Sequence, residues 1–301
     1  MRNAEKLRFV DEPNERSMHK SVIPRGAGVG FTLAAVLSIA LYEWTHFLEY
    51  YYLYLCIAMI CVVGIVDDVM DVSPKLKFIF IFIAAAVLYV NDIAIFSLGD
   101  YGPYSAVLPS FLVLPFAMFA ISGLTNAVNL IDGLDGLAAS VSAVMFTTFL
   151  TIGILHDDAL LITLSSTFLA VLAAFLIFNW YPAKIFMGDS GSLVLGFVTC
   201  VLAIQTLQYA TPASVLFLVA LPVLDTVIVM TRRIRNKTSP FKADRTHIHH
   251  FLYKVKVHVP FTVKILAVIQ LLFSLLGFAL MQVNNALALT IFCILVYLFY
   301  H

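Results

Sequence analysis

Residues 124–140 read LTNAVNLIDGLDGLAAS, and this stretch decides the fold class. It separates two apolar runs, roughly 111–128 and 136–155, and sets Asn126, Asn129, Asp132 and Asp135 at three-residue steps. Such steps place neighbours beside one another on a helix but drift by about 60° each. The four polar groups share one site only where the helix is broken, and Gly133 and Gly136 supply that break. A single Asn in a membrane helix works as hydrogen-bond glue between helices. Two amides and two carboxylates together instead predict irregular polar backbone lining a cavity at membrane depth.

The remainder of the chain agrees with a membrane setting. Of its 301 residues 61% are hydrophobic and 12% charged, with a mean hydropathy of +0.97. An ordinary soluble domain is about 45–50% apolar, so that class is excluded. Apolar runs fall near 26–47, 51–66, 78–96, 111–128, 136–155, 159–178, 191–208, 212–231, 261–281 and 286–300. The expected fold class is therefore all-α, a polytopic integral membrane protein of about ten transmembrane helices. A single membrane-embedded domain should cover residues 1–301, with cytoplasmic loops at about 1–25, 67–77, 129–135, 179–190 and 232–260.

Charge placement orients that map. Every Lys and Arg lies in residues 1–25, at Lys75 and Lys77, at Lys184, or between Arg232 and Lys264. The alternate loops hold none, and cytoplasmic loops are the ones that collect cations. Both termini are thus expected in the cytoplasm. The polar N-terminal stretch lacks the short apolar core of a cleaved signal peptide. Net charge is zero, and no nucleic-acid partner is expected. Cys56, Cys61, Cys200 and Cys293 all sit in apolar runs, where they read as buried small hydrophobes without disulfides.

An ionised carboxylate near hydrocarbon is expensive and is retained mainly for function, so the acids at span ends are the informative residues. Those that cluster with amides or histidines, taken up next, share the predicted cytoplasmic side. In GIVDDVMD, residues 64–71, Asp67 and Asp68 repel one another, and a divalent cation or a nearby Lys relieves this. Lys75 and Lys77 fit either topology markers or phosphate ligands. In FNWYPAKIFMGDSGSLVLG, residues 178–196, Asp189 stands where a helix begins. A free helix N-terminus there suits a phosphate and an Asp oxygen suits Mg²⁺, while a plain helix cap is the alternative. Phe186 either stacks on a base or packs. Asn179 and Asp225 complete the set of polar residues near span ends. The loop TRRIRNKTSPFKADRTHIHHF, residues 231–251, offers Arg245, His247, His249 and His250, whose spacing matches no structural zinc site and fits sugar hydroxyls and phosphates better. SMHKSVIPRGAGVGF, residues 17–31, adds His19, Lys20 and Arg25 before glycines that permit close approach of a ligand or a neighbouring helix.

Taken in order, RSMHK with PRG, DDVMD, TNAVNLIDGLDGLA, FMGDSGS and DRTHIHH resemble the polyprenyl-phosphate N-acetylhexosamine-1-phosphate transferases, glycosyltransferase family 4. The resemblance runs from about Lys6 to the end, and the HIHH loop is similar to the branch using UDP-GlcNAc-like donors for O-antigen or teichoic-acid linkage synthesis. It implies transfer of a sugar 1-phosphate from a UDP-N-acetylhexosamine, GlcNAc by default, to undecaprenyl or another polyprenyl phosphate, with release of UMP. It implies Mg²⁺, or Mn²⁺ in its place, a bacterial inner-membrane location and a possible homodimer. By motif, Asp189 matches the metal ligand, with Asn129 joining it in some members. Asp67 matches the carboxylate proposed to position or activate the lipid phosphate, with Asp68 beside it, and Lys77 a phosphate-holding lysine. Asn126, Asp132, Asp135 and Phe186 match the nucleotide side, and Arg245, His247, His249 and His250 the sugar-recognition loop.

Two departures stand out. The family pattern carries one more span before the segment that begins here near Lys6, and Gly26–Ala27–Gly28 replaces a fuller run of glycines. A cation-coupled transporter is the principal competing class, but it calls for midplane acids and inverted repeats, and no repeat is evident. A CDP-alcohol-type phosphotransferase would gather its Asp residues into one continuous motif in fewer spans.

Overall fold

The computed structural model describes residues 9–11, 22–70, 72–237, 239, 248 and 257–300. The apolar runs fold as helices. In chain order these are α1 (Ala27–Tyr42), α2 (Trp44–Glu49), α3 (Tyr51–Met70), α4 (Pro74–Val90), α5 (Ser110–Ile131) and α6 (Leu137–His156). They continue with α7 (Ala159–Asn179), α8 (Asp189–Thr206), α9 (Pro212–Leu218), α10 (Ala220–Arg235), α11 (Val259–Ala279) and α12 (Asn285–Tyr300). Among the described residues, α3, α5, α6, α7, α8 and α11 are long and apolar enough to cross a membrane, and α9 with α10 makes one bent pair. The protein is a mostly helical, multi-pass membrane protein.

The core is organised around α8. All of its residues except Asp189 and Gln205 are buried, and α1, α3, α5, α6 and α7 pack around it. Between apolar helices in lipid, close van der Waals approach replaces the hydrophobic drive, so small residues occupy the contacts. A Cβ added at Gly28 on α1 would lie 2.1 Å from the Gly191 nitrogen, at Gly64 on α3 2.4 Å from Ser190 Cα, and at Gly196 2.6 Å from the Thr125 carbonyl on α5. Outward faces carry exposed apolar side chains such as Leu41, Leu55, Leu272 and Leu298, which suit contact with acyl chains.

Four features differ from the expectation. The run 212–231 is not a straight span, because α9 and α10 meet at Val219 with a bend of 91°. Pro222 explains the place: its ring collides with the carbonyl four residues earlier, at Leu218, and it donates no hydrogen bond. The stretch 97–107, expected as loop, forms the hairpin β3 (Ser97–Tyr101) and β4 (Tyr104–Val107). A further short pair, β1 (Val10–Asp11) with β2 (Ile23–Pro24), precedes α1. Cys293 is exposed on the outward face of α12, unlike the three buried cysteines, and all four are free thiols.

The broken backbone at Val219 is satisfied by one side chain. Gln270 of α11 is fully buried; its Oε1 accepts from Leu221 N–H at 2.9 Å, and its Nε2 donates to the Leu218 carbonyl at 2.9 Å and to Ser274 Oγ at 3.0 Å. Substituting Gln270→Leu keeps the volume but leaves these backbone groups unpaired, each at about 1–3 kcal/mol. The variant should unfold at lower temperature in detergent, with Gln270→Glu less affected than Gln270→Leu; equal melting of Gln270→Leu and wild type would remove this role.

Candidate active site

Four helix ends meet at one place: the C-terminal turns of α3 and α5 and the N-terminal turns of α4 and α8. Helix α3 runs through the acidic pair, so Asp67 and Asp68 lie in its last turn rather than in a loop. Pro74 starts α4, where a missing N–H does no harm, and places Lys77 in its first turn. The connection is held by the Val72 N–H, which donates to Asp67 Oδ1 at 3.0 Å.

Lys77 joins two carboxylates from different helices. Its Nζ lies 2.5 Å from Asp67 Oδ2 and 2.6 Å from Asp189 Oδ2, with all three side chains partly open to solvent. Asn129 of α5 faces the Asp189 carboxylate and donates from Nδ2 to Ser192 Oγ at 2.8 Å. Ser192, one turn after Asp189, lies on the same side of α8.

Asp68 faces elsewhere. It is buried, its Oδ1 accepts from the Asp189 N–H at 2.9 Å, and its Oδ2 accepts from the Ser190 N–H at 3.1 Å. This corrects the expectation of a helix N-terminus open to phosphate, because the first two amides of α8 already carry the protein's own carboxylate. The Arg25 guanidinium donates to the Asp68 carbonyl, and the glycines after Arg25 serve helix packing: Ala27 N–H bonds the Phe186 carbonyl at 3.1 Å and Gly28 N–H the Met187 carbonyl at 3.0 Å.

The α5–α6 turn supplies the next group. Asp132 caps α5, and burial, with the charges of Asp189, Asp68 and Asp135 adding to it, pushes its carboxyl up to about 7. Asp135 Oδ2 accepts from the Ala183 N–H at 2.9 Å, tying this turn to the loop that carries Phe186. Buried Asn179 closes the same loop, accepting from Gly136 N–H and donating to the Ile185 carbonyl, each at 2.9 Å, so its role is structural. Asn126 sits deeper in α5, half-buried, with no hydrogen bond to Asp67, Asp189 or Lys77. Arg245, His247, His249 and His250 lie outside the described residues. Asp225, buried on α10, accepts from the Ile248 N–H at 2.7 Å.

Two carboxylates and an amide oxygen are hard donors of the kind Mg²⁺ takes alongside phosphate and water. Among the described residues no three acidic, His or Cys side chains form a ready cage, and Lys77 Nζ occupies the position between the carboxylates. A basin of about 870 Å³ opens at the opposite ends of the same helices, lined by Asp92, Asp100, His156, Gln205 and Tyr209 among others. The length of α8 separates it from Asp189 by about 27 Å.

A family model, glycosyl transferase family 4, matches residues 50–207, which contain every carboxylate named at this site except Asp225. The chain belongs to this family. Relatives of the family 4 chain support the assignment over most of its length. The Salmonella typhi protein named undecaprenyl-phosphate alpha-N-acetylglucosaminyl 1-phosphate transferase is 32% identical over 260 residues, 83% of this chain and 70% of the relative. A Bacillus subtilis (strain 168) protein named probable undecaprenyl-phosphate N-acetylglucosaminyl 1-phosphate transferase is 32% identical over 305 residues, 98% of this chain and 84% of the relative. The Escherichia coli (strain K12) protein with the Salmonella name is 28% identical over 262 residues, 83% and 71% of the two chains.

The position of Asp132 yields a pH prediction. Its carboxyl gains a proton as pH falls through about 7, so a ligand recognised by the carboxylate binds more weakly at pH 6 than at pH 8. Uridine has no titrating phosphate and isolates the effect. Its dissociation constant should rise several-fold from pH 8 to pH 6 in the wild type and stay flat in Asp132→Asn; parallel slopes would place Asp132 outside the nucleoside pocket.

Proposed function

We propose that this family 4 chain transfers N-acetylhexosamine 1-phosphate, GlcNAc 1-phosphate by default, from a UDP-sugar to undecaprenyl or another polyprenyl phosphate, releasing UMP. The product begins a cell-envelope glycan of the O-antigen or teichoic-acid type. The observation that carries the reading is Lys77 held between Asp67 and Asp189 where four helix ends meet. The names of its relatives point to the same acceptor and sugar.

Attack by one phosphate on another brings like charges together, so the work of the site is positioning and charge neutralisation. The acceptor phosphate is already ionised near pH 7 and needs no strong base. Asp189, with Asn129 and Asp67 beside it, would hold Mg²⁺ (or Mn²⁺), which when bound polarises the phosphoryl oxygens and offsets the charge that builds on them. Lys77, beside both carboxylates, would hold a phosphate oxygen. Asp132, Asp135 and Phe186 bound the nucleotide side, with Asn126 deeper in α5. Arg245, His247, His249 and His250 supply donors to the sugar. Asp68 takes no part in this list of contacts.

In this reading the site faces the cytoplasm, both termini lie on that side, and the protein resides in a bacterial inner membrane. The span count rises to about ten when α1, α4 and α12 cross alongside the longer helices and the bent pair. The cation distribution supports this orientation, since Lys77 and Lys184 flank the site.

The test is UMP release by purified protein given undecaprenyl phosphate, Mg²⁺ and a panel of UDP-N-acetylhexosamines, with EDTA as control. Metal-dependent release with one sugar is expected, and none with any donor from folded protein would overturn the reading. Asp189→Asn should lower turnover about 100-fold or more while the protein stays folded, and near-wild-type rates would defeat the metal role of Asp189. His249→Ala should chiefly raise KM for the UDP-sugar; a change confined to the polyprenyl phosphate would count against sugar recognition by this loop.

A further inference from the structure

Adjacent residues on a helix point about 100° apart, so Asp67 and Asp68 turn their carboxylates to different groups. Asp67 faces Lys77 and the side chain of Asp189. Asp68, only 3% exposed, faces the backbone of the same residue and of its neighbour, accepting from the Asp189 and Ser190 N–H groups at 2.9 and 3.1 Å. These are the first orphan amides of α8, and the residue before them is Gly188, which has no side chain with which to cap them.

The surrounding chain is shaped for this contact. Gly188 adopts φ +71°, and a Cβ there would stand 2.5 Å from Asp68 Oδ2, so any other residue would push the carboxylate off the amides. One turn before Asp68, Gly64 lets the α3 backbone touch Ser190, where a Cβ would lie 2.4 Å from its Cα. The carbonyl of Asp68 is held in turn by Arg25. An anion at a helix N-terminus is favourable, and here one helix supplies it to another across 121 residues of sequence.

We propose that Asp68 is a positioning residue: a cap supplied by α3 that fixes the start of α8, and through the Asp189 backbone aims the Asp189 carboxylate at Lys77 and Asn129 without itself touching metal or phosphate. This rests on the reading of Asp189 as metal ligand given above. Pinning the N–H of Asp189 pins the root of its side chain, since both leave the same Cα. The cap also removes those amides as a cradle for the sugar diphosphate, leaving Lys77 and the metal to receive it.

Amide hydrogen exchange on the full-length protein in detergent, combined with Mg²⁺ titration of UMP binding by calorimetry, tests the assignment. Wild type, Asp68→Asn, Asp68→Ala and Asp67→Asn are compared, with thermal unfolding as the check on folding. Exchange at Asp189 and Ser190 should accelerate at least tenfold in Asp68→Ala, less in Asp68→Asn, which keeps one acceptor oxygen, and remain at the wild-type rate in Asp67→Asn. The Mg²⁺ concentration for half-maximal UMP binding should rise several-fold in Asp68→Ala, while KM for polyprenyl phosphate stays unchanged. Unaltered exchange in Asp68→Ala would overturn the cap, and faster exchange with an unaltered Mg²⁺ response would overturn the positioning role. If Asp68→Ala does not fold, Asp68→Asn carries the same comparison. Wild-type protein that binds no UMP in Mg²⁺ would instead defeat the functional reading, with the exchange arm still deciding the cap.

Discussion

A backbone amide or carbonyl inside hydrocarbon has no water to turn to, so every interruption of a membrane helix must bring its own partner. That constraint explains four of the buried polar side chains of this protein. Asp68 satisfies the opening amides of α8, Gln270 the break at Val219, and Asn179 the turn before Ile185. Asn285 does the same at the far end, accepting from Ala213 N–H and donating to the Leu98 carbonyl, both at 2.9 Å, so that the hairpin, α9 and α12 are joined. Each residue is polar because a helix starts, stops or bends beside it.

The functional carboxylates depend on this scaffold. Asp189 can stand at the start of an apolar helix because Asp68 satisfies the two amides there. Asp67 can remain partly open because the adjacent position takes the structural load. The glycines of α1, α3 and α8 complete the arrangement by permitting backbone contact, which brings residues from 28, 64 and 190 to one point. A methyl group at Gly28 or Gly64 would separate helices whose spacing sets the distance from Lys77 to both acids.

Much of this was legible in the sequence. Apolar runs marked the helices within a few residues, and the polar clusters marked which helix ends approach one another. Asp67, Lys77, Asn129 and Asp189 are brought together as their motifs implied. What could not be read was the division of labour within a motif. DD in one-letter code shows two equal carboxylates, and only the rotation of α3 relative to α8 sends one to an ammonium and the other to backbone. The helix start at Asp189 looked free for phosphate because its cap comes from 121 residues away. Hydropathy makes the run 212–231 one span, because Pro222 is nearly invisible to it, whereas the clash of its ring with Leu218 is a local rule that locates the bend.

The contact between Lys77 and the two carboxylates also has a direction built into it. One ammonium faces two carboxyl groups here, with Asp132 and Asp135 on the adjoining turn. On the proposed function, so acidic a site would favour a cation over a bare diphosphate, and metal and nucleotide would favour one another there. On the proposed function, Asp67 and Asp189 would hold a divalent cation that offsets their charge, and the Lys77 ammonium would then be available to a phosphate. On that reading the same side chain would be counter-ion without substrate and phosphate ligand with it, a double use that suits a lysine on a flexible stem better than a rigid, planar guanidinium.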